Sequence, residues 1–406
     1  MSGWARERAA DDPLRPAPKV FGSGPAATEA LNLARDGVAR AEVQQRTGAT
    51  LAVHDVSFDV APGELFVVMG LSGSGKSTLV RLLNRLIEPS EGSIEIDGRD
   101  LGGLGDADLR ELRNRRMSMV FQHFALLPHR TVAQNAGYGL QIRGVSDRER
   151  REKAEWALDQ VGLADRADAY PGQLSGGMQQ RVGLARALAS DTDVLLMDEP
   201  YSALDPLIRR DMQALLARLQ SELRKTIVFI THDLNEAILL GDRILLLKDG
   251  ALVQVGTGPE ILAAPADDYV ADFVSDVDRT RVLTAQDVIR EPRIVVRLDD
   301  RPSDVLARLG GAEANGAYVV DDEQRIVGVI RDDWLARAAG NGTVSISCDG
   351  LTTDFLTTES DRPLIDLLHQ VGRHVVPLAV VDDERRLLGV VPRAAVLASL
   401  AAPSRS

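Results

Sequence analysis

The sequence predicts an α/β fold with a parallel central sheet, followed by a smaller α/β part. Three apolar runs, residues 65–69, 194–197 and 226–230, have the length and composition of buried parallel strands. The first of them leads through a glycine-rich stretch into the helix-forming segment 77–86. Near the C-terminus, an alternating apolar segment occurs twice, which indicates an internal duplication.

The glycine-rich stretch carries the pattern G-x-x-x-x-G-K-[ST] from Gly70 to Ser77. A strand before this pattern and a helix after it are the context that a P-loop requires, and they argue against a chance glycine- and serine-rich turn. In a P-loop, backbone N–H groups turn inward on a polyphosphate, Lys76 supplies a charge for the β- and γ-phosphates, and the Ser77 hydroxyl can ligate Mg²⁺. We expect ATP to be bound here by Gly70, Ser72, Gly73, Ser74, Gly75, Lys76, Ser77 and Thr78.

The other two apolar runs also end in residues that suit phosphate chemistry. Asp198 fits the carboxylate that helps P-loop enzymes to hold Mg²⁺, and Glu199 fits one that polarises the attacking water. Two acids at a strand end often form only a solvated turn, but the upstream P-loop favours a catalytic pair. His232 follows the third run, where a γ-phosphate contact is favoured over a structural role.

Two further motifs are weaker when taken alone. Ser175-Gly176-Gly177 leads into the helix-forming segment 181–188, which predicts a second helix N-terminus that binds an anion. Gln122 ends the strand-like run 117–122, and a single glutamine by itself indicates no function.

Length and composition restrict the class of protein. A chain of 406 residues is expected to form two or three domains. The net charge of −13 lacks the basic excess of a nucleic-acid-binding surface, so we expect no nucleic-acid partner. Cys348 is the single cysteine, which excludes an intrachain disulfide. No apolar run approaches the roughly 18 residues that cross a bilayer, so a membrane role would come from a partner subunit.

Taken together and in this order, these motifs resemble those of the ATP-binding cassette (ABC) family, and the resemblance covers roughly residues 19–274. A finer resemblance, to the ATPase subunit of glycine betaine/proline betaine importers, is carried by segments 70–78, 81–89 and 174–178 and by a helical insertion at 22–50. The resemblance implies a RecA-like core with a helical subdomain. Met178 stands where most cassettes have glutamine, a change that this subfamily tolerates.

The resemblance also implies roles for individual residues. Glu199 would be the general base, His232 would brace the transferred phosphate, and Phe21 would stack on adenine. Gln122 would sense the γ-phosphate, couple to the permease and share the Mg²⁺ site with Ser77 and Asp198. The signature segment that would complete the site of a second copy is Ser175, Gly176, Gly177, Met178 and Gln179. The D-loop would be Ser202, Ala203, Leu204 and Asp205.

The partners follow from the same resemblance. Two copies of the chain would close on two ATP molecules and drive a separate integral-membrane permease, served by an extracytoplasmic solute-binding protein. The subunit would lie on the cytoplasmic face of the plasma membrane and power the uptake of glycine betaine or proline betaine. An importer ATPase for another small solute is the alternative, followed by a non-transport cassette acting on nucleic acid or ribosomes, which the single P-loop and acidic balance disfavour.

The duplicated segment indicates a regulatory domain. Residues 317–330 recur as 378–391, each copy reading as two strands joined by an acidic turn, and the pair resembles tandem cystathionine-β-synthase-type (CBS) modules. The adenosine-binding pattern of many such modules is missing, because Arg331 and Trp334 in one copy and Pro392 and Ala395 in the other replace its hydroxyl and carboxylate. We therefore expect this pair to act through its charged surface rather than by binding AMP or ATP.

The expected domain division follows from these features: a disordered arm at 1–16, the cassette at 17–275 with its insertion at 22–50, CBS repeats at 276–342 and 343–401, and a tail at 402–406.

Overall fold

The computed structural model describes residues 19–21, 25–122, 124–275, 277–312, 314–371 and 376–400. The arm predicted at 1–16 and the tail predicted at 402–406 lie outside these residues. The chain divides into two compact units, one ending at Val274 and the other beginning at Ser275. Among the described residues, no helix is both long enough and apolar enough to span a lipid bilayer.

The first unit alternates strands and helices. Its strands are β1 (Lys19–Phe21), β2 (Thr50–Val53), β3 (Leu65–Met69), β4 (Glu95–Ile96), β5 (Arg99–Asp100), β6 (Met117–Val120), β7 (Val194–Asp198), β8 (Thr226–Thr231), β9 (Arg243–Lys248) and β10 (Ala251–Gly256). Its helices are α1 (Pro25–Arg35), α2 (Arg40–Thr47), α3 (Lys76–Leu83), α4 (Asp106–Arg116), α5 (Val132–Ala136), α6 (Tyr138–Ile142), α7 (Asp147–Gln160), α8 (Gly176–Ala189), α9 (Pro206–Leu223), α10 (Leu234–Leu240), α11 (Gly258–Ala263) and α12 (Asp268–Phe273).

A six-stranded sheet in the order β10-β9-β3-β8-β7-β6 forms the centre of this unit. Its neighbouring strands are parallel except for β10, which is antiparallel to β9. The three predicted apolar strands correspond to β3, β7 and β8, and every residue of β3 is buried. The predicted α/β fold with a parallel sheet is confirmed.

The register of the sheet brings the predicted site together. Met69 at the end of β3 pairs with Thr231 of β8, and Asp198 at the end of β7 pairs with Ile230. Val120 at the end of β6 pairs with Met197. Because parallel strands end at the same edge, the segments that follow β3, β6, β7 and β8 all emerge at one edge of the sheet.

Residues 51–60 alternate apolar and polar side chains as a strand would, but β2 ends at Val53. Val56 is buried in the core of the unit, and Phe58 stacks on Phe66 with ring centroids 5.0 Å apart. The alternating pattern beyond Val53 therefore reflects side-chain burial against the sheet. The helix predicted at 77–86 likewise ends earlier, at Leu83.

The second unit contains two similar halves. Its strands are β11 (Val295–Val296), β12 (Gly316–Val320), β13 (Ile326–Arg331), β14 (Thr357–Thr358), β15 (Leu378–Val381) and β16 (Leu387–Val391). Its helices are α13 (Ala285–Val288), α14 (Pro302–Gly311), α15 (Asp332–Gly340), α16 (Leu364–Val371) and α17 (Arg393–Leu400). The sheets β11-β12-β13 and β14-β15-β16 each join a parallel pair to an antiparallel hairpin.

The turns of the two hairpins repeat the same contacts. Oδ1 of Asp321 accepts hydrogen bonds from the backbone N–H groups of Glu323 (3.1 Å) and Arg325 (2.8 Å). Asp382 does the same with Glu384 (3.0 Å) and Arg386 (2.8 Å). An aspartate that holds its own turn in this way explains the acidic turn seen twice in the sequence.

Candidate nucleotide-binding site

The glycine-rich loop that follows β3 is packed too closely for a side chain at two of its glycines. A Cβ at Gly70 would lie 2.2 Å from the carbonyl oxygen of Leu247, and one at Gly75 would lie 2.4 Å from that of Ala52. Gly75 also has a φ of 101°. The loop is thereby held close to β9 and β2 around the N-terminus of α3, whose first N–H groups attract anions.

Lys76 opens α3, and its side chain is buried across the loop. Its Nζ donates hydrogen bonds to the carbonyl oxygens of Gly70 (2.8 Å) and Leu71 (3.1 Å) and lies 3.9 Å from Oε1 of Glu199. Burial lowers the pKa of Lys76, and the carboxylates of Glu199 and Asp198 oppose that shift. The ammonium group therefore lies between the loop and a carboxylate, where the terminal phosphates of a bound polyphosphate would meet it.

Ser77 and Asp198, two of the three predicted Mg²⁺ ligands, are in contact. The Ser77 hydroxyl donates a hydrogen bond of 3.1 Å to Oδ1 of Asp198. Burial raises the pKa of Asp198, and this hydrogen bond opposes the rise. Gln122 follows β6 at the same edge of the sheet, but within the described residues no hydrogen bond joins it to either partner.

Glu199 has a backbone conformation that is uncommon for a residue with a side chain, with a φ of 44°. The surrounding chain holds it there: its N–H donates to the carbonyl oxygen of Ile230 (3.1 Å), and its own carbonyl accepts from the Ser202 hydroxyl (3.0 Å). Its Oε2 lies 3.3 Å from Nδ1 of His232. Strain of this kind collects at functional sites, and here it accompanies a carboxylate that lies within 4 Å of both Lys76 and His232.

The backbone beside His232 is tied to a buried carboxylate that the sequence analysis missed. Glu236 accepts hydrogen bonds from the Thr231 hydroxyl (2.6 Å) and from Nε2 of Gln213 (3.1 Å). The Thr231 hydroxyl in turn accepts from the N–H of Asp233 (3.0 Å). Burial raises the pKa of Glu236, and the hydrogen bond from Thr231 opposes the rise. Asp233-x-x-Glu236 at a helix start was the available signal, because it matches a capping box.

The signature segment begins α8. Oγ of Ser175 accepts a hydrogen bond of 3.3 Å from the N–H of Met178 and so caps the helix. Nε2 of Gln179 donates to the carbonyl oxygens of Pro171 (3.1 Å) and Leu174 (3.2 Å). Ser175 therefore lies at the helix start that was predicted to bind an anion, whereas the side chain of Gln179 supports the turn before the helix.

The D-loop 202–205 joins Glu199 to α9. Ser202 bonds to the Glu199 carbonyl, and Oδ1 of Asp205 accepts from the N–H groups of Leu207 (3.2 Å) and Ile208 (3.1 Å). Asp205 is thus the N-cap of α9. The assignment of residues 202–205 as the D-loop stays a prediction.

The adenine-stacking role of Phe21 also stays a prediction. The structure describes its backbone, which pairs with Thr50 between β1 and β2, but not its side chain.

A second missed residue, Arg186 of α8, holds the segment after Gln122. Its Nη1 donates to the carbonyl oxygen of Ala125 (2.6 Å) and its Nη2 to that of Phe124 (3.1 Å). Both acceptor residues have positive φ angles, 49° and 36°. Burial lowers the pKa of Arg186. An arginine inside a helix gives no sequence signal for this contact, because the two segments meet only in the folded chain.

Comparison with known proteins also indicates a nucleotide-binding subunit of a transporter. Residues 53–202 match the family model described as ABC transporter. The chain is 47% identical over 382 residues to the glycine betaine/carnitine transport ATP-binding protein of Listeria monocytogenes, covering 94% of this chain and 95% of the relative. It is 45% identical over 386 residues to the glycine betaine/proline betaine transport system ATP-binding protein of Escherichia coli, with coverage of 94% and 95%.

Two further comparisons involve the cassette part. The chain is 55% identical over 238 residues to the trimethylamine N-oxide transport system ATP-binding protein of Ruegeria pomeroyi, covering 59% of this chain and 70% of the relative. An ATP-binding cassette solved as a dimer in a post-hydrolysis state with ADP and Pi is 33% identical, with a TM-score of 0.51, and the match covers 61% of this chain and 98% of the solved one. The chain belongs to the ABC transporter family, as a subunit that binds and hydrolyses ATP.

Proposed function

We propose that Glu199 is the general base of ATP hydrolysis at the edge where β3, β7 and β8 end. The observation that carries this assignment is the position of its carboxylate, 3.9 Å from Nζ of Lys76 and 3.3 Å from Nδ1 of His232. Lys76 holds the terminal phosphates, Glu199 takes a proton from the attacking water, and His232 braces the γ-phosphate.

Mg²⁺ fits the oxygen pair formed by Ser77 and Asp198. A hydroxyl and a carboxylate oxygen 3.1 Å apart are hard ligands of the kind that Mg²⁺ takes together with phosphate oxygens. The ion supplies charge neutralisation on the phosphates when it is bound. Gln122 follows β6 at the same edge and joins this site. The segment after it is held by Arg186.

The site is completed by a second copy of the chain. The N-terminus of α8, capped by Ser175, offers backbone N–H groups to an anion, and among the described residues no hydrogen bond joins it to the P-loop of its own chain. The solved relative with ADP and Pi is a dimer. Ser175, Gly176 and Gly177 of one copy therefore bind the ATP that Lys76 of the other copy holds.

The transported solute is a quaternary amine of the glycine betaine or proline betaine type. This assignment is supported by full-length relatives whose names carry glycine betaine, carnitine and proline betaine. The second candidate is trimethylamine N-oxide, which the name of the 55% identical relative carries. The full-length matches favour the betaines, because they cover 94% of this chain, against 59% for the trimethylamine N-oxide relative.

A separate permease docks on the cassette, which places this subunit on the cytoplasmic face of the plasma membrane, with a solute-binding protein on the far side. A candidate docking surface is an open cavity of about 600 Å³ between α4 and residues 143–153. Four basic side chains and one acidic one line it: Arg110, Arg115, Arg143, Lys153 and Glu111. Ile142 and Trp156, on the helices that flank it, are 57% and 44% exposed. Apolar side chains beside a basic cavity suit a partner helix with acidic flanks.

Reconstitution tests the transport function. The chain is co-expressed with its permease and binding protein, placed in vesicles and assayed for ATP hydrolysis against a panel of glycine betaine, proline betaine, trimethylamine N-oxide, choline and an amino acid. Stimulation by the betaines supports the proposal. Stimulation by trimethylamine N-oxide alone selects the second candidate, and stimulation by the amino acid alone contradicts both.

The second unit, residues 276–342 and 343–401, acts as a tandem CBS regulator. The duplicated sheets and hairpin turns support this assignment. Where an adenosine-binding module would have its carboxylate, Trp334 packs so closely that a Cβ at Gly350 would lie 2.3 Å from the indole. Calorimetric titration of AMP into the full chain tests whether the second unit binds an adenine nucleotide. The chain carries Lys76→Ala, which weakens nucleotide binding at the P-loop. We expect no binding, and micromolar binding would contradict a regulator that acts without an adenine nucleotide.

A further inference from the structure

The α1–α2 hairpin contributes no residue to the proposed hydrolysis, yet it reaches the P-loop through one arginine. Nη1 of Arg40, at the start of α2, donates a hydrogen bond of 2.9 Å to the carbonyl oxygen of Gly73. Gly73 has a φ of 79°, and no atom lies within 4 Å of the position that its Cβ would take. Arg40 therefore lies at the outer rim of the phosphate-binding loop, beside a glycine that faces open space.

The hairpin is built to hold Arg40 in this position. Gly48, with a φ of 70°, ends α2 and leads directly into β2. β2 in turn packs on the loop at Gly75, where a Cβ would lie 2.4 Å from the Ala52 carbonyl. A small core of its own rigidifies the hairpin, formed by Ala30, Val43, Ala49 and Leu51. The loop is thus held at Gly75 by a strand and at Gly73 by a charged side chain from the same segment.

Arg40 forms no ion pair within the described part of the chain, although the protein has a net charge of −13. Arg46 on the same helix differs, because it pairs with Glu42. A guanidinium has five N–H donors, so the bond to Gly73 leaves donors for a ligand. The electrostatic effect of Arg40 extends to His54 of the adjoining segment: burial lowers the pKa of His54, the carboxylates of Asp55 and Asp249 oppose that shift, and the charge of Arg40 adds to it.

We propose that Arg40 binds the α-phosphate of the nucleotide from outside the P-loop. Lys76 and Glu199 lie on the side of the loop that faces β7 and β8, where the γ-phosphate reacts. Arg40 instead contacts the loop at Gly73, from the hairpin that leads into β2, so the proposal assigns to it the end of the polyphosphate that leads to the nucleoside. This inference rests on the proposed ATP site and adds to it a contact from the N-terminal hairpin that the P-loop pattern does not contain.

Nucleotide affinity of the full chain tests the assignment, measured by displacement of a fluorescent ATP analogue at two salt concentrations. Arg40→Ala is expected to weaken ATP and ADP by the same factor, about 3- to 10-fold, because both nucleotides carry the α-phosphate. Arg40→Lys keeps the charge and should restore most of the affinity. Arg40→Gln keeps a neutral donor for Gly73 and should behave like Arg40→Ala. Arg46→Ala is the matched control and should bind as wild type does.

Each outcome decides the proposal. Wild-type affinity in Arg40→Ala, a loss restricted to ATP, or full affinity in Arg40→Gln would overturn it, the last because a neutral tether to Gly73 would then be sufficient. The salt dependence of ATP binding should be shallower in Arg40→Ala, since one charge contact is missing, and an unchanged salt slope would also overturn it. Failure of wild type to bind any nucleotide would instead contradict the proposed ATP site as a whole.

Discussion

At the scale of single residues, substitutions of Glu199 and Lys76 should distinguish a catalytic role from a role in nucleotide binding. Glu199→Gln keeps the size of the side chain and removes the base, so ATP hydrolysis should fall about 10²- to 10⁴-fold while ATP still binds. Lys76→Ala should instead lose nucleotide affinity, because the buried ammonium that bridges the loop is removed. Steady-state hydrolysis and equilibrium binding of ATP check both variants. A Glu199→Gln turnover within about threefold of wild type would show that another group is the base.

The ionisation of Glu236 should make the free energy of unfolding depend on pH. Its pKa is raised by burial above the ordinary value of 4.5, so the folded protein retains a proton that the unfolded chain releases. The favourable contribution of this residue is complete below pH 4.5 and is lost as pH rises through the raised folded pKa. Glu236→Gln removes this dependence while keeping an acceptor for Thr231. Its free energy of unfolding, relative to wild type, should therefore increase as pH rises above 4.5.

Denaturant unfolding at several pH values measures this difference. Glu222→Gln, at an exposed glutamate of α9 paired with Arg218, is the matched control and should show no such trend. A pH-independent difference between Glu236→Gln and wild type would contradict the assignment of the effect to this carboxylate.

At the scale of elements, two adjacent glycines of α8 should respond differently to the same change. A Cβ at Gly177 would lie 2.4 Å from Cγ2 of Ile208 in α9, whereas the nearest atom to a Cβ at Gly176 is 3.7 Å away, in Phe124. Alanine improves helix propensity at both positions, so the difference between them reports the packing of α8 on α9. Gly177→Ala should be less stable than Gly176→Ala by about 1–3 kcal/mol.

Thermal and denaturant unfolding of the two variants check this prediction. Adding Ile208→Ala to Gly177→Ala should recover most of the loss, because the clashing methyl group is removed. Equal stability of the two glycine variants would mean that α8 and α9 separate at little cost.

At the scale of the whole molecule, the proposed site is shared between two copies. Lys76→Ala and Ser175→Ala should each be inactive alone, because each removes one half of both sites in a homodimer. Mixing them should restore part of the hydrolysis, since one composite site in a mixed dimer keeps both groups. ATPase assays on mixtures, with mixed dimers verified by a tag on one variant, give the measurement. No recovery in verified mixed dimers would contradict a site completed by the second copy.

The sequence by itself determined the central strands and the chemistry at their ends. Buried parallel strands need continuous apolar runs, so residues 65–69, 194–197 and 226–230 could be recognised without a structure. The P-loop needs its glycines because carbonyl oxygens approach them closely, so Gly70 and Gly75 are visible in the pattern as well as in the fold.

Only the tertiary structure decided the contacts between segments that are distant in the chain. Segment 51–60 alternates because its side chains pack on the sheet, although β2 ends at Val53. Arg186, Glu236 and Arg40 are ordinary charged residues on helices, and each acquires a role when folding brings it to a carbonyl or side-chain amide far away in the sequence. The physical reason is that local periodicity records which face of an element is buried, whereas a hydrogen-bond partner is set by how elements pack.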